Sequence, residues 1–254
     1  MLLNNKVIIV TGGAHGIGRA LCERFVQEQP RGIVVADIDV DQARRVAESF
    51  DGMAVECDVS DEESVKQLVR MTESRFGPVD LFCANAGIGF SGGLELSDDD
   101  WRNMLNVNFM SHVYAARSVV PSMRERRQGY LLHTASAAGL LTELSSAPYS
   151  VTKHAVVALA EWLAITYGNR GLKVSCLCPQ GVRTRMIEGD HPIAEMLRQS
   201  SISAEEVAEF VVRGIDKEQF LILPHPEVAE YFQRKAGDYD RWLSGMRQLR
   251  EQVL

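Results

Sequence analysis

Residues 6–18 read KVIIVTGGAHGIG. The run up to Thr11 is apolar and rich in β-branched residues without a break, the pattern of a strand covered on both faces. Gly12, Gly13, Gly16 and Gly18 follow and lead into a helical period at Ile17, Leu21 and Phe25. A strand, a glycine-rich turn and a helix start together make an anion site. Glycines let the backbone approach, and the first helical N–H groups and the dipole face a pyrophosphate. The spacing is Gly-x-x-x-Gly-x-Gly, which departs from the commonest dinucleotide fingerprint.

Working outward, GIVVAD (32–37) reads as the second strand and ends in Asp37, 19 residues beyond Gly18. A carboxylate at about that distance accepts hydrogen bonds from an adenosine ribose and repels a 2′-phosphate. Ile38 supplies no replacement cation, so NAD is favoured over NADP, and His15 is read as a solvated turn residue. Asp39 can cap a helix with Gln42 as its partner, MAVECD (53–58) is a strand, Ser60 with Glu63 reads as a capping box for a helix to Phe76, and VDLFCANAG (79–87) is a strand. This alternation predicts an α/β fold, a doubly wound parallel sheet with helices on both faces. Ligands in such a sheet sit beyond the carboxyl ends of the strands, where Asp58, Asn85 and Gly87 fall.

In the second half, a helix capped by Ser97 runs toward Met123 and contains Asn106 and Asn108. An Asn buried in a helix is unfavourable unless it bonds something, so one of the two is assigned a functional role. GYLLHTAS (129–136) is a strand that delivers Ser136 to its carboxyl end, and SAAGLLTELSSAPYSVTK (136–153) follows. A helix starting near Pro148 places Tyr149 and Lys153 at i and i+4 on one face. A phenol has an unperturbed pKa of about 10, and a neighbouring ammonium favours the phenolate, so Tyr149 is expected to exchange a proton with an alcohol or carbonyl oxygen that Ser136 holds. The helix to about Gly171 is apolar over much of its surface, through Ala155, Val156, Leu159, Trp162 and Leu163, which points to a subunit interface. LKVSCLCP (172–179) is a further strand, Ser203 and Glu206 form another capping box, and FLILP (220–224) is the last strand.

Composition bounds the function. The 254 residues show no linker and read as a single domain over 1–254, with a helical tail at 224–254. Lys+Arg 27 against Asp+Glu 34 gives a net charge of −7, which excludes nucleic acid and anionic lipid surfaces as expected partners. There is no signal-peptide pattern and no membrane-length apolar run, and the five cysteines have no metal-ligand spacing, so a reduced, cytoplasmic protein without a metal is expected.

The whole set of motifs resembles the short-chain dehydrogenase/reductase superfamily: TGGAHGIG (11–18), Asp37, CDVSD (57–61), NAG (85–87), NVNF (106–109), Ser136 in ASAAG, YSVTK (149–153) and PQGVRT (179–184). The resemblance implies a Rossmann-type sheet and hydride transfer between NAD and a secondary alcohol or ketone. By it, Tyr149 is the acid/base, Lys153 its partner and a ligand of the nicotinamide ribose, Ser136 the holder of the substrate oxygen, and Asn108 the keeper of a proton-relay water, with Asn106 structural. Gly12, Gly16, Ile17 and Gly18 correspond to the diphosphate turn, Asp58 and Val59 flank adenine, Asn85 and Gly87 lie along the cofactor ribose, and Val182 and Thr184 face the carboxamide. A homo-oligomer, tetramer or dimer, is implied too. One departure is visible: Gln180 follows Pro179 where the family has Gly, with Gly181 next.

Substrate walls are expected from 88–94, 139–144 and the segment after Thr184, with Phe90, Leu140, Leu141, Met186, Ile187 and Ile193 making them mostly apolar. The expected substrate is a hydrophobic or aromatic alcohol or ketone. Tyr239, Trp242, Leu243, Met246 and Leu249 make the tail amphipathic, either packing on the domain or a neighbouring subunit or covering that pocket. An NADP(H)-dependent carbonyl reductase and a catalytically silent NAD-binding protein are the competing readings. Asp37 argues against the first and the Asn108, Ser136, Tyr149, Lys153 set against the second.

Overall fold

The computed structural model describes residues 1–188 and 192–254. In chain order its elements are β1 (Val7–Thr11), α1 (Gly16–Val26), β2 (Gly32–Asp37), α2 (Val40–Glu48), β3 (Met53–Glu56), α3 (Glu62–Phe76), β4 (Leu81–Ala84), α4 (Asp98–Leu105), α5 (Ser111–Glu125) and β5 (Gly129–Thr134). They continue with α6 (Ala138–Leu141), α7 (Ala147–Tyr167), β6 (Leu172–Leu177), α8 (Pro192–Gln199), α9 (Ala204–Asp216), β7 (Leu221–Ile222), α10 (Glu227–Gly237) and α11 (Tyr239–Val253). The strands form one sheet in the order β3-β2-β1-β4-β5-β6-β7, and each neighbouring pair is parallel.

The period of two in a strand explains why β1 carries no polar alternation. Ile9 packs with Val34, Phe82 and Leu131 against α3, α5 and α7. Ile8 and Val10 pack with Ile33, Val35, Leu81 and Leu132 against α1, α2 and α9. The chain lays β2 and β3 on one side of β1, then returns to place β4 on the other. The crevice at that reversal is the expected ligand position. Backbones meet there: Gly12 has φ 65°, and a Cβ on it would lie 2.9 Å from Ala86 Cα.

Ser97 and Ser203 form capping boxes with Asp100 and Glu206, and Asp39 accepts from the Gln42 N–H at 3.2 Å. Ser60 does not cap α3. Its hydroxyl is drawn to Asp58 Oδ1 at 2.7 Å, and Asp61 takes the cap by accepting from Glu63 N–H at 3.1 Å. The predicted helix from Ser97 to Met123 is interrupted by a π-turn at Asn106–Met110, which leaves Asn106 exposed and Asn108 buried. Helix α7 ends at Tyr167, tightens through a 3₁₀ turn at Gly168–Arg170, and reverses at Gly171 with φ 86°. Trp162 is 55% exposed and Ile165 82% exposed on its outer face. The helical tail is made of two helices, α10 and α11. Among the described residues, no helix is long and apolar enough to cross a membrane.

Candidate active site

A cleft of about 470 Å³ opens over the carboxyl ends of β1, β2, β4 and β5. Helix α1 points its start at this cleft, and its N-cap residue His15 makes no side-chain capping bond. The first-turn N–H groups are therefore left for an external acceptor. Gly16 has φ 50°, and a Cβ there would come 3.0 Å from Thr184 Cγ2, across the path into the site. Asp37 stands at the other end, its Oδ2 accepting from Ala14 N–H and its Oδ1 from Asp39 N–H, both at 3.0 Å. An uncapped helix start, a glycine cradle and a fixed carboxylate on the same cleft fit a nicotinamide dinucleotide.

Gly12, Gly16, Ile17, Asp37, Asp58, Val59, Asn85, Gly87, Ser136, Tyr149, Lys153, Val182 and Thr184 all line the cleft. Gly18 does not. It lies beneath, where a Cβ would be 2.0 Å from the Gly12 carbonyl oxygen, so it serves helix–strand packing. Asn108 is not on the surface of the cleft either. Its Oδ1 accepts from Ile88 N–H and its Nδ2 donates to Ile88 O, both at 2.8 Å, so the side chain clamps the Gly87–Gly89 wall. Asn85 is held in the same way, donating from Nδ2 to Thr11 O and accepting from Thr134 Oγ1, each at 3.1 Å.

Ser146 starts α7 by accepting from Tyr149 N–H at 3.3 Å, and the first turn carries Tyr149 and, one turn on, Lys153 toward β5. Lys153 is 3% exposed, donates from Nζ to Thr134 O at 3.1 Å, and sits 5.5 Å from the centroid of the Tyr149 ring. Burial pulls its ammonium down to about 8. The Tyr149 phenol bonds Ser136. Burial pushes its pKa up, the Ser136 bond pulls it down, and the Glu143 carboxylate pushes it up again. Burial is the largest of these effects, so in the cofactor-free chain the phenol is raised rather than lowered, with the Lys153 ammonium over its ring. Ser136 Oγ also accepts from Ala138 N–H at 3.1 Å.

Beyond Ser136 and Tyr149 lies a second pocket of about 410 Å³. Phe90, Leu141, Met186, Ile187 and Ile193 line it as predicted. Leu140 instead packs in the core at 4% exposure. Of the third predicted wall segment, residues 189–191 lie outside the described residues. The outer wall comes from α11, through Trp242, Met246 and Leu249. Lys235 at the end of α10 ties the tail down, donating from Nζ to the Leu140 carbonyl at 2.7 Å while itself 6% exposed.

Three features were not anticipated. His225, 3% exposed, accepts from Gln180 N–H on Nδ1 and donates from Nε2 to Gly181 O, each at 3.1 Å, and so fixes the loop that departs from the family pattern. A Cβ on Gly181 would meet Leu197 O at 2.5 Å, which accounts for the displaced glycine. Arg185 lies against His15 at the mouth of the cleft, with His15 Nε2 2.9 Å from Asp39 Oδ2. Beneath Lys153, His112 and His133 are fully buried with their Nδ1 atoms 2.9 Å apart, and burial lowers both. Arg185 directly follows the quoted PQGVRT run and His133 lies within the quoted strand GYLLHTAS, but neither was singled out by its residue pattern.

A family model described as short chain dehydrogenase matches residues 6–192. The chain belongs to the short-chain dehydrogenase family. It is 34% identical over 236 residues to a 1-deoxy-11-beta-hydroxypentalenate dehydrogenase from Streptomyces exfoliatus, covering 89% of this chain and 86% of that protein. It is 33% identical over 193 residues to a meso-2,3-butanediol dehydrogenase from Serratia marcescens, covering 74% and 76%. The crystal structure of a short-chain dehydrogenase/reductase from Burkholderia phymatum in complex with NAD superposes with a TM-score of 0.87 at 28% identity, covering 94% of this chain and 96% of that one.

Proposed function

We propose that this short-chain dehydrogenase transfers a hydride between NAD(H) and a hydrophobic or aromatic secondary alcohol or its ketone. The observation that carries this reading is the position of Ser136 and Tyr149, which line both the dinucleotide cleft and the apolar pocket. A reacting carbinol there reaches the cofactor on one side and a proton acceptor on the other. The relatives named as alcohol dehydrogenases, and the NAD in the Burkholderia phymatum structure, support it.

The nicotinamide dinucleotide supplies the hydride acceptor or donor. The chain's own residues orient the substrate and move the proton. Ser136 holds the substrate oxygen, Tyr149 takes its proton in oxidation and returns it in reduction, and the nearby Lys153 charge offsets the developing phenolate. Asn108 contributes by fixing Ile88, and so the wall beside the reacting carbon. Asp37 and the uncapped start of α1 take the ribose and the diphosphate. A homo-oligomer is part of the same reading, because the exposed face of α7 carries large apolar side chains.

A second reading, NADP(H), is favoured by one feature, the Arg185 guanidinium at the mouth of the cleft. Asp37 and Asp39 bracket the same end with two carboxylates, which favours NAD. The test is NADH formation from NAD with pooled hydrophobic secondary alcohols, NADP in parallel, and Tyr149→Phe as control. Turnover with NAD that drops about 10²–10⁴-fold in the variant, with NADH binding retained, is expected. Turnover within tenfold of the unmodified enzyme in Tyr149→Phe would remove the tyrosine from the chemistry, and turnover with NADP alone would reverse the cofactor assignment.

A further inference from the structure

Three of the chain's nine methionines converge on the apolar pocket from places far apart in the sequence. Met186 comes from the 3₁₀ turn after β6, Met196 from α8 and Met246 from α11. They differ from the methionines of the core. Met104 and Met123 are fully buried, where close packing fixes a side chain, whereas Met196 and Met246 are half-buried and Met186 is 51% exposed. Met186 lines both the dinucleotide cleft and the pocket. It meets the Tyr149 ring over Gly89, where a Cβ would lie 3.5 Å from Met186 Sδ and 3.8 Å from Tyr149 Cδ2.

The wall around them offers apolar contact. To the pocket α8 adds Ile193 and Leu197, and α11 adds Trp242 and Leu249. Among the described residues that line the pocket, the charged one is Glu143, and its carboxylate is not open to a ligand: Oε1 accepts from Ser145 N–H at 2.7 Å, and Oε2 has no accessible surface. The side formed by α8 and α11 therefore selects by shape and apolar area. Methionine sets how strictly it does so, because an unbranched thioether with three rotatable bonds fills irregular gaps and repacks around partners of different outline. At about 30 Å³ for each water-sized group, a pocket of about 410 Å³ has room for roughly ten to fifteen non-hydrogen atoms.

We propose that Met186, Met196 and Met246 are specificity-determining residues that make the pocket adaptable, so that the enzyme turns over bulky apolar ring alcohols and ketones of different ring shape at similar rates. This rests on the dehydrogenase reading above. The reacting carbinol stays with Ser136 and Tyr149, and the remainder of the ring system is enclosed by thioethers that shift to fit it. A hydrophobic pocket of fixed shape separates substrates that differ by one methylene by about 10–200-fold. One that repacks levels that difference among large substrates and penalises those too small to reach the wall.

The experiment measures kcat/KM under NAD for decahydro-2-naphthol, 2-adamantanol and cyclododecanol, with cyclohexanol as the small comparison, in the unmodified enzyme and in the triple variant Met186→Ile/Met196→Ile/Met246→Ile. Isoleucine stays apolar and of similar size, but its branch at Cβ stiffens χ1. Thermal midpoints and NADH titration establish that the variant folds with its cleft intact, and Met196→Ile/Met246→Ile takes its place if the triple variant does not fold. In the unmodified enzyme the three large alcohols are expected within about tenfold of one another and all above cyclohexanol. In the variant the spread among the three is expected to widen about threefold or more, mainly in KM, whereas a merely structural role would lower all three alike. A spread beyond about tenfold in the unmodified enzyme, cyclohexanol turned over as well as any of the three, or a spread that widens less than about threefold in the folded variant would overturn the inference and leave the dehydrogenase reading intact. No turnover of these alcohols, or of their ketones with NADH, by protein that binds NADH would overturn both.

Discussion

Lys153 shows how a single side chain sets function against stability. Its ammonium is buried with one carbonyl partner, and burial lowers it from 10.5 to about 8. The linkage has a definite sign. Below pH 8 both folded and unfolded chains hold the proton, and the folded state bears the full desolvation cost. Between pH 8 and 10.5 the unfolded chain binds more proton, so the cost is relieved as pH rises. Lys153→Met is therefore expected to stabilise the cofactor-free protein at pH 7, by about 1–3 kcal/mol after allowing for the orphaned Thr134 carbonyl. It should abolish turnover, and its advantage should shrink toward pH 10. Urea midpoints of the two proteins at pH 7 and pH 10 measure this; an advantage that does not change with pH would assign the gain to packing instead. Tyr149 and Lys153 were legible in sequence because an i, i+4 pair is a local geometry, and Ser136 because it ends a readable strand. The direction of the Tyr149 shift was not, because it depends on how deeply the fold buries the phenol.

Among the elements, the loop after β6 is positioned by one histidine. His225 pairs with Gln180 N–H and Gly181 C=O across 45 and 44 residues of sequence. Its bonds require the neutral ring with the proton on Nε2, and burial lowers its pKa below 6.5. His225→Ala is expected to cost about 1–3 kcal/mol by orphaning both backbone groups. It should also raise KM for NAD, since Val182 and Thr184 follow directly in the same loop. Denaturant titration and steady-state kinetics check the two effects separately, and an unchanged KM with lowered stability would confine His225 to structure. No sequence pattern pointed to this residue, because a side chain bonded to backbone so far away leaves no period or motif. The strands were legible for the opposite reason. Ile8, Ile9 and Val10 alternate between two buried faces, and each position alone demands an apolar residue. The α3 cap lay between the two cases: Ser60 and Asp61 both suit an N-cap, and a third residue, Asp58, decides between them by taking the serine hydroxyl.

At the scale of the whole molecule, the apolar outer face of α7 reads differently from its amphipathic neighbours. Val151, Trp162 and Ile165 are 50%, 55% and 82% exposed in the single chain, on a helix whose other side is packed into the core. Large apolar side chains grouped on one exposed face mark an association surface. Ile165→Glu is accordingly expected to lower the oligomeric state, measured by light scattering across a concentration series, while the far-UV spectrum stays unchanged. A mass independent of that substitution would place any interface elsewhere.

The division of labour between the two compartments has an evolutionary reading. The described residues that line the dinucleotide cleft run from Gly12 to Ile187, whereas Trp242, Met246 and Leu249 come from α11, which follows α10, the helix fastened to the body of the protein through Lys235 and the Leu140 carbonyl. A lineage can therefore rewrite α11, and with it the range of molecules accepted, without disturbing the inherited hydride machinery. Two descendants that share every motif from residue 11 to residue 184 can part company in metabolism through three side chains of α11.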